Sequence, residues 1–569
     1  MRVPETQERT VFYNPVQVQN RDLSILMISL YAERRAIRHA VSRKKKELRK
    51  QHHGIKESEL QQQLREYEST LDGSQLVLEE TKAYPTGLTI LDALAASGLR
   101  SIRYWKEIPG VHHVTINDLD PAAVERAHNN VQENQLGNVL LESNHDRKKG
   151  IFISLGDATH EMYLSRRPQD LKVESSTAPA SKQLTMWDVI DLDPYGSAAP
   201  FLDAAVQAVE NGGLLCITCT DMAALGGSHP ETAYGRYGSL PIQSAKYLQE
   251  LAVRILLYSI SVSAAKYGRT LRPILSVGMD FYVRVFVEVW NDKAGVQDLS
   301  LNIGNVYQST RCPTFIVQPH GQMGGKKGNV YQSRRLSPGV CPETGAVFKV
   351  GGPLWLGPLH DKKVVTTALE RLGNKKAVTT NASRLDIQLL ATRERLRGLL
   401  TSVSEEIETP LYYQLGDLCR ALHCTSPKLQ DVMAALHNAG YQVSGYHKEP
   451  TAIKTNAPSS VVWDIMRAWV QKNPIQNNKK EPDPESAAEK ILSVPPTLEV
   501  DFTIPKSFRQ KQKVSRFPMN PEKYWGPKRK ASGKTIADTP DGNRTDSNKK
   551  SKTDEAPAIH STSIDEPRP

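Results

Sequence analysis

Between residues 87 and 290, short apolar runs alternate with stretches whose apolar positions recur at helical spacing. The runs lie at 88–93, 114–118, 151–155, 189–192, 213–218 and 279–290. Runs this short read as strands, and their alternation with helical periodicity predicts a wound α/β sheet. Ahead of them, 11–30 reads as an extended lead-in that turns helical near Asp22. A charged helical insertion follows over about 31–84, rich in Arg, Lys, Gln and Glu and broken at Gly54 and Gly73. A Pro-, Ser- and Thr-bearing stretch at 165–181 reads as a surface insertion between strands. Gly, Pro and Val dominate 300–360, which predicts a small β-rich part. Within 385–470, the apolar-periodic segments 415–423 and 429–439 are separated by Thr-Ser-Pro-Lys. Gly440 ends the second, and a hairpin-like pattern follows. That succession predicts a winged-helix-like part. Beyond about 473 the chain turns Pro-, Lys-, Ser- and Asp-rich with little to bury, which predicts a mostly disordered tail. The expected units are 1–295, 296–472 and 473–569.

Composition changes the picture only modestly. A chain of 569 residues exceeds what one core organises. With 39% hydrophobic and 24% charged residues it has ordinary globular proportions. No run reaches the ~20 apolar residues of a membrane helix. The first ten residues carry neither the apolar core nor the cleavage pattern of a secretory signal. A net charge of +11 suits a polyanionic partner, and so does a basic tail on a neutral enzyme. Its distribution favours the first reading, because residues 31–50 hold nine Lys/Arg against two Glu. Six cysteines in so long a chain do not describe a disulfide framework. Cys216 and Cys219, three apart on an apolar run, would point to opposite faces of a strand and read as core.

Four segments carry candidate chemistry. In Leu91-Asp-Ala-Leu-Ala-Ala-Ser-Gly-Leu-Arg100 a strand runs into small residues, Gly98 and a basic helix, so a ligand can approach the backbone closely. The glycine pattern is not the three-glycine dinucleotide fingerprint. In Val114-Thr-Ile-Asn-Asp-Leu-Asp-Pro121, an acid at the strand end can accept from both hydroxyls of a ribose. Asp118 is the better placed, and Asp120 is suited to cap the next helix. Ile151-Phe-Ile-Ser-Leu-Gly-Asp-Ala-Thr159 sets Asp157 past a third strand, where an acid accepts from an adenine amine and Ala158 leaves room for the ring. Val189-Ile-Asp-Leu-Asp-Pro-Tyr-Gly-Ser197 delivers Asp193 into a Pro194-Tyr195 turn. The lone pair of a nucleobase amine is delocalised into the ring. A carboxylate accepting its N–H raises the electron density on nitrogen and can take the proton, worth ~10²–10⁴ in rate. Alignment of amine, methyl carbon and sulfonium can add an effective molarity of ~10⁵ M. Tyr195 can stack on the base.

These motifs, with Val11-Phe-Tyr-Asn-Pro15, Asn20-Arg-Asp-Leu-Ser24, Cys219-Thr-Asp-Met-Ala-Ala-Leu-Gly-Gly-Ser228, Tyr234-Gly-Arg-Tyr-Gly238, Gly351-Gly-Pro-Leu-Trp-Leu-Gly-Pro-Leu-His360 and Ala452-Ile-Lys-Thr-Asn-Ala-Pro458, resemble the eukaryotic tRNA (guanine-26-N2) dimethyltransferases. The resemblance spans roughly residues 11–530. It implies a Rossmann-like class I methyltransferase domain joined to a family-specific α+β C-terminal domain. It also implies methyl transfer from S-adenosylmethionine to the N2 amine of guanosine 26 in tRNA. By motif, Arg21, Arg100, Asp118, Asp157 and Ala158 would hold the cofactor, with Arg21 on the methionine carboxylate and Phe12 beside the adenosine. Asp193, Pro194 and Tyr195 would form the catalytic turn.

Two departures stand out. Relatives carry a zinc ribbon of two Cys-x-x-Cys pairs, whereas here the pairs read Ser309-Thr-Arg-Cys312 and Cys341-Pro-Glu-Thr344. Tetrahedral zinc needs four ligands, so no metal is expected. The Val11 motif also stands close to residue 1, where relatives carry preceding sequence, and this speaks against mitochondrial import. Arg34 to Lys50 are expected to form a basic helix along the tRNA backbone. Lys528-Arg-Lys530 and Lys549-Lys-Ser-Lys552 suit nuclear import, with a mitochondrial location as the alternative. No membrane span and no oligomer are implied. The rival functions are an amino-methyltransferase acting on adenine and an inactive RNA-binding protein of the same fold.

Overall fold

The computed structural model describes residues 17–52, 54–82, 87–143, 147–166, 186–325, 330–334, 339–373, 390–474, 483–509 and 514–519. Phe12, the 167–181 part of the expected insertion and both basic tail clusters lie outside these residues. The described residues all fall in one compact unit.

Three helices come first, α1 (Gln17–Gln51), α2 (Glu57–Ser69) and α3 (Gly73–Lys82). Helix α1 is already formed at Gln17, five residues before the expected start near Asp22, and from Asp22 to Ala32 every residue is buried. A helix apolar all round is one covered on every side. Here the cover is the sheet below and two later helices above. The sheet and its helices follow as β1 (Leu88–Asp92), α4 (Leu99–Glu107), β2 (Val111–Asp118), α5 (Pro121–Glu133), β3 (Leu140–Leu141), β4 (Gly150–Leu155), α6 (Ala158–Ser165), β5 (Trp187–Leu192), α7 (Leu202–Ala208), β6 (Val209–Cys219), α8 (Met222–Leu225), α9 (Pro230–Tyr237), α10 (Leu248–Ala265), β7 (Arg269–Met279) and β8 (Tyr282–Asn291).

The strand order is β3-β4-β2-β1-β5-β6-β8-β7, parallel except that β8 runs antiparallel to both neighbours. Chain order reverses between β1 and β5, and the crevice beyond the carboxyl ends at that point is where wound sheets bind ligands. Alternate side chains divide into two cores. Ile90, Val189, Cys216 and Phe286 pack under α1, while Leu91, Ile190, Cys219 and Val285 pack on α7 and α10. The two cysteines thus lie on opposite faces, as their spacing predicts.

Strand β7 escaped the apolar pattern because Arg269, Arg272 and Pro273 interrupt it. The register shifts at Pro273, as befits proline on an edge strand. Helix α10 is the one described helix long and apolar enough to cross a membrane, and it is packed on β7 and β8 in the core.

The remainder begins with α11 (Lys293–Gln297) and α12 (Leu299–Asn302). The strands β9 (Ile303–Ser309), β10 (Phe315–Pro319), β11 (Gly321–Gly324), β12 (Val330–Ser333) and β13 (Phe348–Trp355) supply the expected β-rich part. Then come α13 (Lys362–Gly373), α14 (Arg393–Glu405), β14 (Tyr413–Gln414), α15 (Leu415–Leu422), α16 (Leu429–Asn438), β15 (Val443–Tyr446), β16 (Glu449–Thr455) and α17 (Ser459–Lys472). From α14 to β16 the order helix, strand, helix, helix, hairpin is that of a winged helix, its three strands paired as β14-β16-β15.

Two expectations need correction. The tail does not begin at 473, since α18 (Ala487–Leu492) and residues near 500 pack Ile491, Leu492, Val500 and Phe502 onto the winged-helix core. These scattered apolar side chains were hidden among the Pro and Lys residues that set the local composition. Nor is the Arg34–Lys50 cluster simply a basic face. Arg34 and Arg38 reach Glu288 at 3.4 and 2.9 Å, Arg35 reaches Asp188 at 2.7 Å, and Arg49 reaches Glu57 at 3.3 Å. Its first half ties α1 to the sheet, while Lys46 and Lys50 face solvent.

Candidate active site

The carboxyl ends of β1, β2, β4 and β5 converge on one crevice. After β1 the chain turns through Ala96 and Gly98, both at positive φ. A Cβ on Gly98 would stand 3.2 Å from Ala127 Cβ and 3.4 Å from Ile116, a tight fit, and the positive φ favours glycine. Asp118, at the end of β2, braces this turn. Its Oδ2 accepts from the Ala96 amide at 2.7 Å and its Oδ1 from the Asp120 amide at 3.0 Å. Asp120 caps α5 through the Ala122 amide at 2.9 Å. Asp157 lies beside them, exposed, and caps α6 through the His160 amide at 2.9 Å, with Ala158 buried behind it. Leu119 and Leu155 are 69% and 56% exposed at the same strand ends. They give the crevice an apolar lip that no motif announced.

Asp193 follows β5 with its side chain 18% exposed, and its Oδ2 accepts from Arg100 Nη2. Pro194 is buried and the Tyr195 ring is 81% exposed, free to present a face to a planar partner. Partial desolvation, then the charges of Asp193 and Asp118, raise the Tyr195 phenol pKa. The turn is held from the side. The Gly196 amide donates to Thr220 Oγ1 and the Thr220 amide to the Gly196 carbonyl, both at 2.8 Å. The Ser197 hydroxyl meets Tyr237 Oη at 2.6 Å, and Tyr237 donates to Asp221 at 2.9 Å. The segments at 219–228 and 234–238 therefore act as the brace of the Asp-Pro-Tyr turn.

Beneath the turn is a buried charged network that sequence reading missed. Arg284 forks onto Asp191 at 2.9 and 2.7 Å and also donates to Thr218 and Ser24. Tyr104 donates to Asp191 as well. Arg100 Nη1 reaches Ser24 Oγ at 3.1 Å and Asn20 Oδ1 at 3.3 Å. Burial works against the Arg100 charge, yet Asp193 and Asp191 outweigh it and push its pKa further up. For Asp191, burial is overcome by Arg284 and then Arg100, and its carboxyl pKa falls. The signal for this network was a lone Arg inside the apolar strand Tyr282-Val-Arg-Val-Phe286, since a buried charge needs a partner. Arg21 is half-buried on α1 beside Asn20.

Two clusters have the composition of metal sites. The ligand atoms of His360, Glu406 and His447 all lie within 4.8 Å of one another. His447 Nε2 accepts from the Gly278 amide at 3.0 Å and His360 Nδ1 from the Ser276 amide at 3.3 Å. His447 Nδ1 hydrogen-bonds Glu406 Oε1 at 2.7 Å and His360 Nε2 stands 3.7 Å from Glu406 Oε2, so the three groups tie this region to β7. In the degenerate ribbon, Cys312 Sγ and Cys341 Sγ stand 3.7 Å apart, with Ser309 Oγ 3.4 Å from Cys312. That spacing is about the edge of a tetrahedral thiolate site with Zn–S near ~2.3 Å. Hydroxyls of Ser309 and Thr344 stand where the other two thiols would be.

A parallel sheet with one antiparallel strand, an acid at the second strand's end and an Asp-Pro-Tyr turn at the switch point define a class I methyltransferase that acts on an amine with S-adenosylmethionine. The chain belongs to the N2,N2-dimethylguanosine tRNA methyltransferase family, whose model matches residues 2–467. It is 39% identical to the tRNA (guanine(26)-N(2))-dimethyltransferase of Schizosaccharomyces pombe, over 94% of this chain and 92% of that one. To the human enzyme of the same name it is 38% identical, over 92% and 75% respectively. Among solved structures, Trm1 from Pyrococcus horikoshii in complex with S-adenosyl-L-methionine superposes with a TM-score of 0.52 at 25% identity, covering 69% of this chain and 94% of that one.

Proposed function

We propose that Asp193 is the carboxylate that accepts the N2–H of the target guanine in a transfer that converts guanosine 26 of tRNA to N2-methyl- and N2,N2-dimethylguanosine. The observation that carries this reading is the position of Asp193. It stands at the rim of the switch-point crevice, part-exposed, on a turn braced by Thr220, Ser197 and Tyr237. S-adenosylmethionine, when bound, supplies an electrophilic methyl carbon on a sulfonium sulfur. Asp118 suits the ribose hydroxyls, Asp157 with Ala158 the adenine amine, and Leu119 and Leu155 the faces of the ring. Arg21 and Arg100 supply positive charge for the methionine carboxylate, and Arg100 also fixes Asp193. Tyr195 stacks on the base and Asp193 takes the proton that the amine gives up. The base must first leave its stack in the tRNA, at a cost of a few kcal/mol.

The winged-helix part is the natural support for the tRNA body. Its β15–β16 turn reaches the sheet's carboxyl edge, where Lys448 pairs with Asp280 at 2.9 Å. Contacts there and at the exposed end of α1 would orient the RNA without reading its sequence.

Mass spectrometry of nucleosides from transcripts bearing guanine or adenine at position 26 tests the reading. The full chain is expected to give the two methylated guanosines on the guanine transcript and nothing on the other. Asp193→Ala should slow the reaction by ~10²–10⁴. Undiminished methylation by that variant would remove Asp193 from the mechanism.

We also infer a nuclear location, on the strength of the basic clusters at 528–530 and 549–552. Fluorescent tagging should show nuclear signal that is lost when both clusters are neutralised. An unchanged distribution would refute the inference.

A further inference from the structure

Five of the buried tyrosines place their hydroxyls on acceptors. Tyr31 donates to the Gly212 carbonyl at 3.2 Å, Tyr104 to Asp191, Tyr237 to Asp221, Tyr247 to Gln308 at 2.9 Å and Tyr412 to the Lys246 carbonyl at 3.2 Å. That is the ordinary behaviour of a phenol out of water, because an unmade hydrogen bond is costly. Tyr282 breaks the pattern. It is 3% exposed, and its hydroxyl has no hydrogen-bond partner among the described residues. Tyr446 shares the orphaned hydroxyl, but it stacks on Tyr412 with the Lys454 ammonium over its ring, inside the winged-helix part.

Tyr282 sits elsewhere, at the carboxyl edge of the sheet. It opens β8, and the next residue, Val283, pairs with Cys219 at the carboxyl end of β6. Along β8 the side chains alternate. Tyr282, Arg284 and Phe286 face α1, while Val283 and Val285 face the opposite core. The side chain of Tyr282 is thus on the same side as the Arg284–Asp191 pair, two residues nearer the edge. After burial, the charge that most affects its phenol is Asp193, followed by Arg284, Asp280 and Arg100. A donor without an acceptor thus stands on the face of the sheet that carries the Arg284–Asp191 pair, at the edge from which Asp193 emerges. Strand β8 and the hairpin with β7 hold it there, where a rigid element sets its position.

We propose that the Tyr282 hydroxyl donates to an oxygen acceptor of one of the two reactants, either O6 of the target guanine or the carboxylate of the cofactor's methionine. The proposal rests on the reading of Asp193 as the acceptor of the N2 proton. Both sources present the same chemistry, an oxygen with open lone pairs delivered into a dry site. They differ in what the contact controls. A bond to O6 would make Tyr282 a specificity residue, because adenine offers an amine there in place of the carbonyl. A bond to the carboxylate would make it part of the cofactor grip.

The test is Tyr282→Phe in the full chain, a change of one oxygen that leaves no space behind. Removing a hydroxyl that bonds no protein group should leave the thermal midpoint unchanged or raise it. Methylation of a guanine transcript should fall in kcat/KM by on the order of 10- to 100-fold, the range for one buried hydrogen bond to a reactant. Calorimetric titration with S-adenosylmethionine and assays on a transcript with 2-aminopurine at the target then separate the two sources, since 2-aminopurine keeps the N2 amine but lacks O6. If the acceptor is O6, cofactor affinity is unchanged and the preference for guanine over 2-aminopurine shrinks in the variant. If it is the carboxylate, cofactor affinity drops by the same factor as kcat/KM and the preference holds. A variant within twofold of wild type in both assays overturns the proposal. So does parallel loss of thermal midpoint and activity, which would mean that the hydroxyl serves the fold. Asp193→Ala, run alongside, keeps the two questions apart. Full activity there undermines the reading of the site, whereas an inactive Asp193→Ala beside an unimpaired Tyr282→Phe removes only this inference.

Discussion

Asp92 shows how closely charge is packed behind the crevice. It is fully buried at the end of β1, accepts from the Ser101 hydroxyl, and its carboxyl is pushed up to about 7, first by burial and then by Asp191. Between the ordinary carboxylate range and pH 7 the folded chain therefore holds a proton that the unfolded chain has released. The stability this gives is complete at low pH and is lost as pH rises through about 7. Asp92→Asn keeps the shape and removes the charge. Its thermal midpoint should exceed that of wild type at pH 8, and the difference should shrink steadily as pH falls through about 7 toward the ordinary carboxylate range, as read by thermal shift. A midpoint below wild type at pH 8 would contradict this. At this scale the sequence exposed Asp118, Asp157 and Asp193, because each ends an apolar strand and the strand can be seen. Asp191, Arg284 and Tyr282 stayed hidden because each makes sense only across a sheet: Arg284 meets Asp191 at a separation of 93 residues, and no local pattern encodes that pairing.

At the level of elements, the strands with unbroken apolar runs were legible, while β7 was lost to Pro273 and two arginines. The long α1 was half legible. Its charged end reads as a helix, but the burial of its first turns depends on α13 and α14, hundreds of residues later. The 309–344 loops hold a second test. The thiols of Cys312 and Cys341 stand 3.7 Å apart, with the Ser309 hydroxyl 3.4 Å from Cys312. Their mutual hydrogen bond holds the Cys312 thiol pKa up and draws the Cys341 thiol pKa down. If loop geometry has been kept, Ser309→Cys with Thr344→Cys should suffice to restore zinc binding. One zinc per chain, measured by metal analysis after dialysis, is the expected result, together with a higher thermal midpoint in the metal-loaded variant. No zinc retained above the wild-type level would show that the loops have drifted from tetrahedral geometry.

Over the whole molecule, buried ionic clusters join the sheet to the C-terminal half. Glu250 on α10 receives Arg254 at 2.8 Å and Lys454 of β16 at 2.7 Å, and Arg254 reaches on to the Trp355 carbonyl. The Glu406 clamp adds His360 and His447 on the other side. These contacts explain why the segments at 351–360 and 452–458 accompany the catalytic motifs in the sequence. They set the winged-helix turn against the edge of the sheet that carries the crevice. What this arrangement is for comes down to Asp193. Single-turnover methylation of tRNA at saturating S-adenosylmethionine, wild type against Asp193→Asn, measures its role apart from cofactor binding and product release. The expected result is a rate lower by ~10²–10⁴ with cofactor affinity within a few-fold of wild type. An Asp193→Asn chain that transfers methyl groups at the wild-type rate would contradict the mechanism.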